Sequence, residues 1–150
     1  MTQILASCSV ADLPLKAAPI NPDWVLAGAP AARNRELSHS ADWGAWTMVW
    51  DCTGGRFEWR YDIDETVHFI AGSVTISVDG GPARLYGAGD VLFFPCGCRA
   101  VWEVHDYVRK VAFCRETLPR PLVIAQKIYR RLFRLLSPGA AKVGALEPAR

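Results

Sequence analysis

Glu65 is the residue in this chain best placed to do chemistry. It precedes Val67, Phe69 and Ala71, which alternate with Thr66 and His68 as on a strand with one buried side. A carboxylate on the inward side of such a strand must be paired with a cation or protonated. In that setting Glu65 can serve as an acid, a base or a ligand anchor. Arg109-Lys110 supplies a counter-charge further along the chain, with Lys110 expected to point inward. An internal Glu65–Lys110 pair that only fixes two strands is the structural alternative. Phe57, Trp59 and Tyr61 alternate with Glu58 and Arg60, so the three rings share a face. With Trp102, Trp59 and Tyr61 are expected to line an aromatic pocket for a planar or apolar molecule, or else to fill the interior.

The thiols are a weaker signal. Five cysteines stand at 8, 52, 96, 98 and 114. Cys96-Gly97-Cys98 is a C-x-C without a second pair, which does not complete a zinc set. Free thiols packed as small hydrophobes are the simplest reading. Cys98 shares strand parity with Ala100 and Trp102, which makes it a candidate pocket residue. A nucleophilic thiolate there needs a base or cation nearby, such as His68 or Arg99. His68 itself is out of phase with Glu65 and reads as a surface or interface residue.

The elements that position these residues are short strands. A chain of 150 residues is expected to form one domain, and its six tryptophans must fill a core, a pocket or an interface. Residues 1–40, with Pro14, Pro19, Pro22 and Pro30, read as an extended arm lying over that domain. Candidate strands follow at 45–51, 56–62, 66–71, 73–78, 83–86, 91–94, 99–105 and 107–114, within a domain placed at 41–116. Thr53-Gly54-Gly55 and Asp79-Gly80-Gly81 are expected to be hairpin turns. Strands at this spacing indicate an all-β sandwich or barrel.

After Leu118-Pro119-Arg120-Pro121 the period changes. Leu122, Ala125, Tyr129, Leu132 and Leu136 fall on one helical face, while Lys127, Arg130, Arg131 and Arg134 lie largely elsewhere. The spacing predicts a helix over 121–136, ended by Ser137-Pro138-Gly139, within a basic segment at 117–150.

Glu65 with six residues to Gly72, then Gly89-Asp90-x₄-Pro95-x-Gly97, is the spacing of the two cupin motifs. Gly28-Ala29-Pro30, Gly55-Arg56-Phe57-x-Trp59-x-Tyr61, Asp64-Glu65, Trp102 and Arg109-Lys110 extend the match. From about Trp24 to Cys114 the chain resembles the small cupin group that includes (S)-ureidoglycine aminohydrolase. The resemblance implies a double-stranded β-helix, the jelly-roll barrel, closed around a small pocket. Metal-binding cupins carry two histidines ahead of the glutamate and a third about three residues past the P-x-G. Those positions read Trp59, Tyr61 and Ala100 here, or Glu58 and Arg60 for the first two at the longer family spacing. Glu65 alone is an ordinary ligand, so the resemblance implies a barrel without metal or other cofactor. The aminohydrolase is a metal enzyme of two cupin halves; this chain carries one, and that activity does not transfer.

The expected function is binding of a small organic molecule in the aromatic-lined barrel, or a structural role. One alternative is an enzyme acting on a small nitrogenous or carbonyl compound with Glu65 as acid/base. Another is an interaction module that uses the basic helix. Formal charge is +2, divided into +6 over residues 115–150 and −4 over the rest. The basic segment suits an acidic partner, a membrane surface or the protein's own barrel, of which a solvated face over the barrel or a dimer seam is the simplest. Nothing beyond charge marks nucleic-acid recognition. Jelly-roll edges and the N-terminal arm favour a homodimer. No membrane-length apolar run and no signal-peptide pattern are present, which predicts a cytoplasmic protein.

Overall fold

The computed structural model describes residues 8–136, with side chains described as far as residue 133. Eight strands form one antiparallel sheet: β1 (Lys16–Ala17), β2 (Val25–Gly28), β3 (Ala32–His39), β4 (Ala45–Arg60), β5 (Asp64–Val78), β6 (Arg84–Gly87), β7 (Val91–Phe94) and β8 (Arg99–Arg115). The spatial order is β1-β3-β4-β8-β5-β6, with β2 also on β4 and β7 also on β5. The long strands β4, β5 and β8 each run through both layers. The first half of β4 lies between β3 and the end of β8, and its second half between β2 and the start of β8. β5 repeats this arrangement on the other side of β8, with β7 and then β6 as outer neighbours. This is the all-β jelly roll that the strand pattern and the resemblance implied.

Three expected pairs of short strands are thus single bent ones, and the bends explain why they read as breaks. Thr53-Gly54-Gly55 is a bulge inside β4, where the register against β8 shifts, and not a hairpin turn. Its glycines serve close approach. A Cβ on Gly55 would stand 2.7 Å from the ring of Pro30, and one on Gly54 3.1 Å from the His105 carbonyl oxygen. β5 bends at Gly72, which has φ +71° and packs its Cα against the Tyr107 carbonyl. Asp79-Gly80 is a true hairpin turn with φ of 47° and 73°, and Gly81 N–H donates to Val78 O at 2.8 Å.

The stretch read as an extended arm also differs. Ala32–His39 pairs with β4 from Ala32↔Cys52 to His39↔Trp46, and β1 and β2 add short pairings of their own. The polar run Arg33-Asn34-Arg35-Glu36 hides this strand from a search for alternating apolar residues. Phe57, Val67, Phe69, Val74, Phe94 and Trp102 are fully buried at the centre of the barrel.

The barrel unit ends at Thr117, and a separate unit contains the helix α1 (Arg120–Leu136). α1 begins one residue before the expected start. Its expected stop at Ser137-Pro138-Gly139 lies outside the described residues. No helix among the described residues is long and apolar enough to cross a membrane.

Candidate functional site

Strand register assembles the site. On β4 and β8, Trp50 stands opposite Lys110, Phe57 opposite Trp102, and Trp59 opposite Ala100. Glu65 at the start of β5 is opposite Cys114 on one side and Phe94 on the other. Lys110 and Cys114 are four residues apart on β8, so their side chains share a face and the lysine reaches along it to Glu65. The Lys110 Nζ donates to Glu65 Oε1 at 2.6 Å, and both side chains are buried. The same ammonium lies 5.0 Å from the ring centroid of Trp50 and 4.7 Å from that of Trp102. Two indole faces and one carboxylate thus replace the water this cation has lost.

A narrow pocket of about 40 Å³ opens beside the pair, lined by Met48, Trp50, Phe57, Trp59, Glu65, Trp102 and Lys110. A wider cleft of about 350 Å³ shares Met48, Trp50, Trp59 and Glu65 and adds Trp46, Tyr61, Ile63 and Cys114 among others. The aromatic walls are braced edge to face. Trp50 meets Trp59 at 6.2 Å and Trp102 at 5.9 Å, and Trp24 meets Trp59 at 5.5 Å. Tyr61 stacks on Phe94 at 4.4 Å between centroids. Burial, and then the charge of Glu65, push the Tyr61 phenol well above its ordinary value. Tyr61 Oη and Trp102 Nε1 are both buried and lie near one another, without a hydrogen bond of good geometry to any other group.

The structure therefore brings together Trp59, Tyr61, Glu65, Trp102 and Lys110. It does not bring in Cys98. That residue is buried in the core and lines neither cavity, and burial raises its thiol pKa, the reverse of what a nucleophile needs. His68 is exposed on the opposite face of β5, and Arg99 is exposed as well. Three wall residues were missed as ligand contacts: Met48, Trp50 and Phe57. Trp46, Met48 and Trp50 carry a period-2 signal that places them on one face, and the bulge at 53–55 brings that face into phase with Phe57 and Trp59.

Arg109 turns the other way. With Arg33 and Tyr107 it surrounds the buried Asp51. Arg33 donates twice, at 3.0 and 2.6 Å, the Tyr107 hydroxyl donates at 2.9 Å, and Arg109 Nη1 lies at 3.7 Å. Arg109 also donates to Leu13 O at 3.1 Å. This cluster ties β3 and the preceding segment to the barrel.

A metal does not suit these residues. The three partner positions carry an indole, a stacked phenol and a methyl group, and Glu65 already accepts from an ammonium. Among the described residues no three His, Cys, Asp or Glu side chains cluster.

Bent antiparallel strands closed around an apolar pocket, with a motif glutamate inside it, define a cupin barrel. Residues 40–112 match the family model of the EutQ-like cupin domain. Many solved structures have a similar fold, three of them as follows. A protein of unknown function of the DUF861 family from Pseudomonas syringae pv. tomato is 25% identical at a TM-score of 0.63, over 69% of this chain and 45% of its own. The Clostridium difficile EutQ protein is 20% identical at 0.51, over 58% and 69%. The Schizosaccharomyces pombe Cnp3 cupin domain is 10% identical at 0.56, over 74% and 69%. The chain thus spans less than half the length of the Pseudomonas protein. No functionally curated protein is significantly similar to the sequence. No specific reaction is assignable from these relatives.

Proposed function

We propose that the barrel binds a small, flat organic molecule, without metal or other cofactor, through its aromatic pocket. The carrying observation is the Lys110 ammonium held between Trp50 and Trp102 and bonded to Glu65, which also lines a cleft of about 350 Å³. Such a wall offers a donor and an acceptor side by side in apolar surroundings, and it suits an amide, ureido or carbonyl group. The buried Trp102 Nε1 and Tyr61 Oη, neighbours of one another, belong to residues of the pocket and of the adjoining cleft. The likeness to the ureidoglycine aminohydrolase group favours small nitrogenous compounds, and Glu65 is the residue that would act as acid/base on one.

The test is a panel of ureides, amides and small oxo acids, read by intrinsic tryptophan fluorescence and by thermal shift on the full chain. We expect a member to change both signals and Trp59→Ala to remove that response. Native mass spectrometry of gently purified protein runs in parallel. Bare protein together with no response across the panel would overturn the reading.

We further propose that the protein is a homodimer joined through the outer sheet face. Phe93 and Phe113 flank Thr66, and Val91 and Val111 flank His68, as adjacent rows across β7, β5 and β8. Phe93, Phe113 and Val91 are exposed, which is costly for large apolar side chains gathered in one patch.

A further inference from the structure

The helix α1 carries a design that the barrel pocket does not use. Its 17 residues, Arg120–Leu136, contain no aspartate or glutamate. At about 100° per residue, Ile124, Ile128 and Leu132 form one i,i+4 row, and Ala125, Tyr129 and Phe133 form the adjoining row. The Tyr129 and Phe133 rings stack at 6.1 Å within that second row. Together the rows span about half of the circumference. The described side chains of the opposite arc are Arg120, Lys127, Arg130 and Arg131, with Gln126 as their neutral polar neighbour and Val123 as the one apolar residue among them.

We propose that α1 is an interfacial helix that lies in the plane of an anionic lipid surface, its apolar arc inserted and its cations at the headgroups. Three features choose this occupant. The apolar arc is about twice as wide as a coiled-coil seam, which needs only an a/d stripe. The polar arc has one sign of charge, so a second copy of the helix would bring arginine against arginine with no carboxylate to relieve it. An anionic surface instead neutralises every cation on the arc. The helix is too short and too charged to span, and Tyr129 supplies a ring with a polar tip suited to the interface. This inference stands apart from the reading of the pocket.

The experiment is flotation of the purified full chain with vesicles of phosphatidylcholine alone or mixed with phosphatidylglycerol. We expect binding to the mixed vesicles only, weakening as salt is raised. Each Lys or Arg contributes about five-fold to partitioning, from about 1 kcal/mol apiece, so Lys127→Gln/Arg130→Gln/Arg131→Gln should lower it about 100-fold. Ile128→Ser/Leu132→Ser should lower it at least ten-fold while leaving all charges in place. Barrel tryptophan fluorescence verifies that both variants are folded. Absence of binding to the mixed vesicles overturns the proposal, as does equal binding to neutral ones. Loss in the charge variant with full binding by the serine variant overturns it too, because that result is adsorption without insertion. Wild-type self-association abolished by the serine variant, without lipid binding, would assign the face to a second copy.

Discussion

At the scale of single residues, the Glu65–Lys110 pair decides how the site responds to change. Both side chains are buried and bonded at 2.6 Å, so Glu65→Gln should cost about 3–5 kcal/mol by leaving the ammonium uncompensated. Lys110→Met should cost a similar amount. The double variant Glu65→Gln/Lys110→Met should recover part of the loss, a coupling that urea melts of the four proteins measure. The thiols add a pH dependence. Burial pushes Cys52 and Cys114 up to about 12 from 9.0, and Tyr61 rises well above 10. A group whose folded pKa is raised stabilises the fold below its unfolded pKa, and that stability is lost as pH climbs toward the folded value. Stability should therefore fall between about pH 9 and 12, and Cys114→Ala should flatten the slope. A thiol reagent should meet Cys8 and Cys96 rapidly and Cys52, Cys98 and Cys114 only on unfolding. Glu65 and Lys110 were legible in the sequence because parity along a strand fixes which face a side chain takes. Cys98 was misread for the complementary reason: parity gives the face but not the height along it, and Cys98 lies beyond the last β4–β8 pair, Arg60↔Arg99.

At the scale of elements, the bends carry the architecture. Gly72 has a positive φ and no room for a Cβ beside the Tyr107 carbonyl, so Gly72→Ala should cost at least about 2 kcal/mol. Gly80 has an equally positive φ but nothing within 4 Å, and Gly80→Ala should cost only about 1 kcal/mol. Chemical denaturation of the two variants side by side separates crowding from backbone preference. For the outer face, Phe93→Arg or Phe113→Glu should convert the proposed dimer to a monomer in sedimentation velocity without unfolding the barrel. A monomeric wild type would refute that interface. Most strand positions were readable from turn residues and alternation. The continuity of β4, β5 and β8 was not, because glycine punctuates a bulge and a turn alike, and only the approach of Pro30 or Tyr107 distinguishes them.

At the scale of the whole molecule, the jelly roll was legible because motif spacing, turn residues and period-2 runs agreed. The strands at 16–39 were not, since β2 and β3 pair with the distant β4, β1 pairs with β3, and the side chains of β3 are mostly polar. One feature of the topology governs how the chain is made. β8, the last strand to leave the ribosome, is central in the sheet and joins β4 to β5 along both halves of each. Nothing synthesised before residue 99 holds those two strands side by side. Vectorial synthesis therefore offers no folded subset of the barrel, and Trp50, Phe57 and Phe69 must await their partner in the open chain. A nascent chain halted at residue 98 should be not a smaller barrel but a protease-sensitive, chaperone-bound polypeptide, and limited proteolysis of stalled ribosome complexes would show the protected core arising only once Arg115 is free of the exit tunnel.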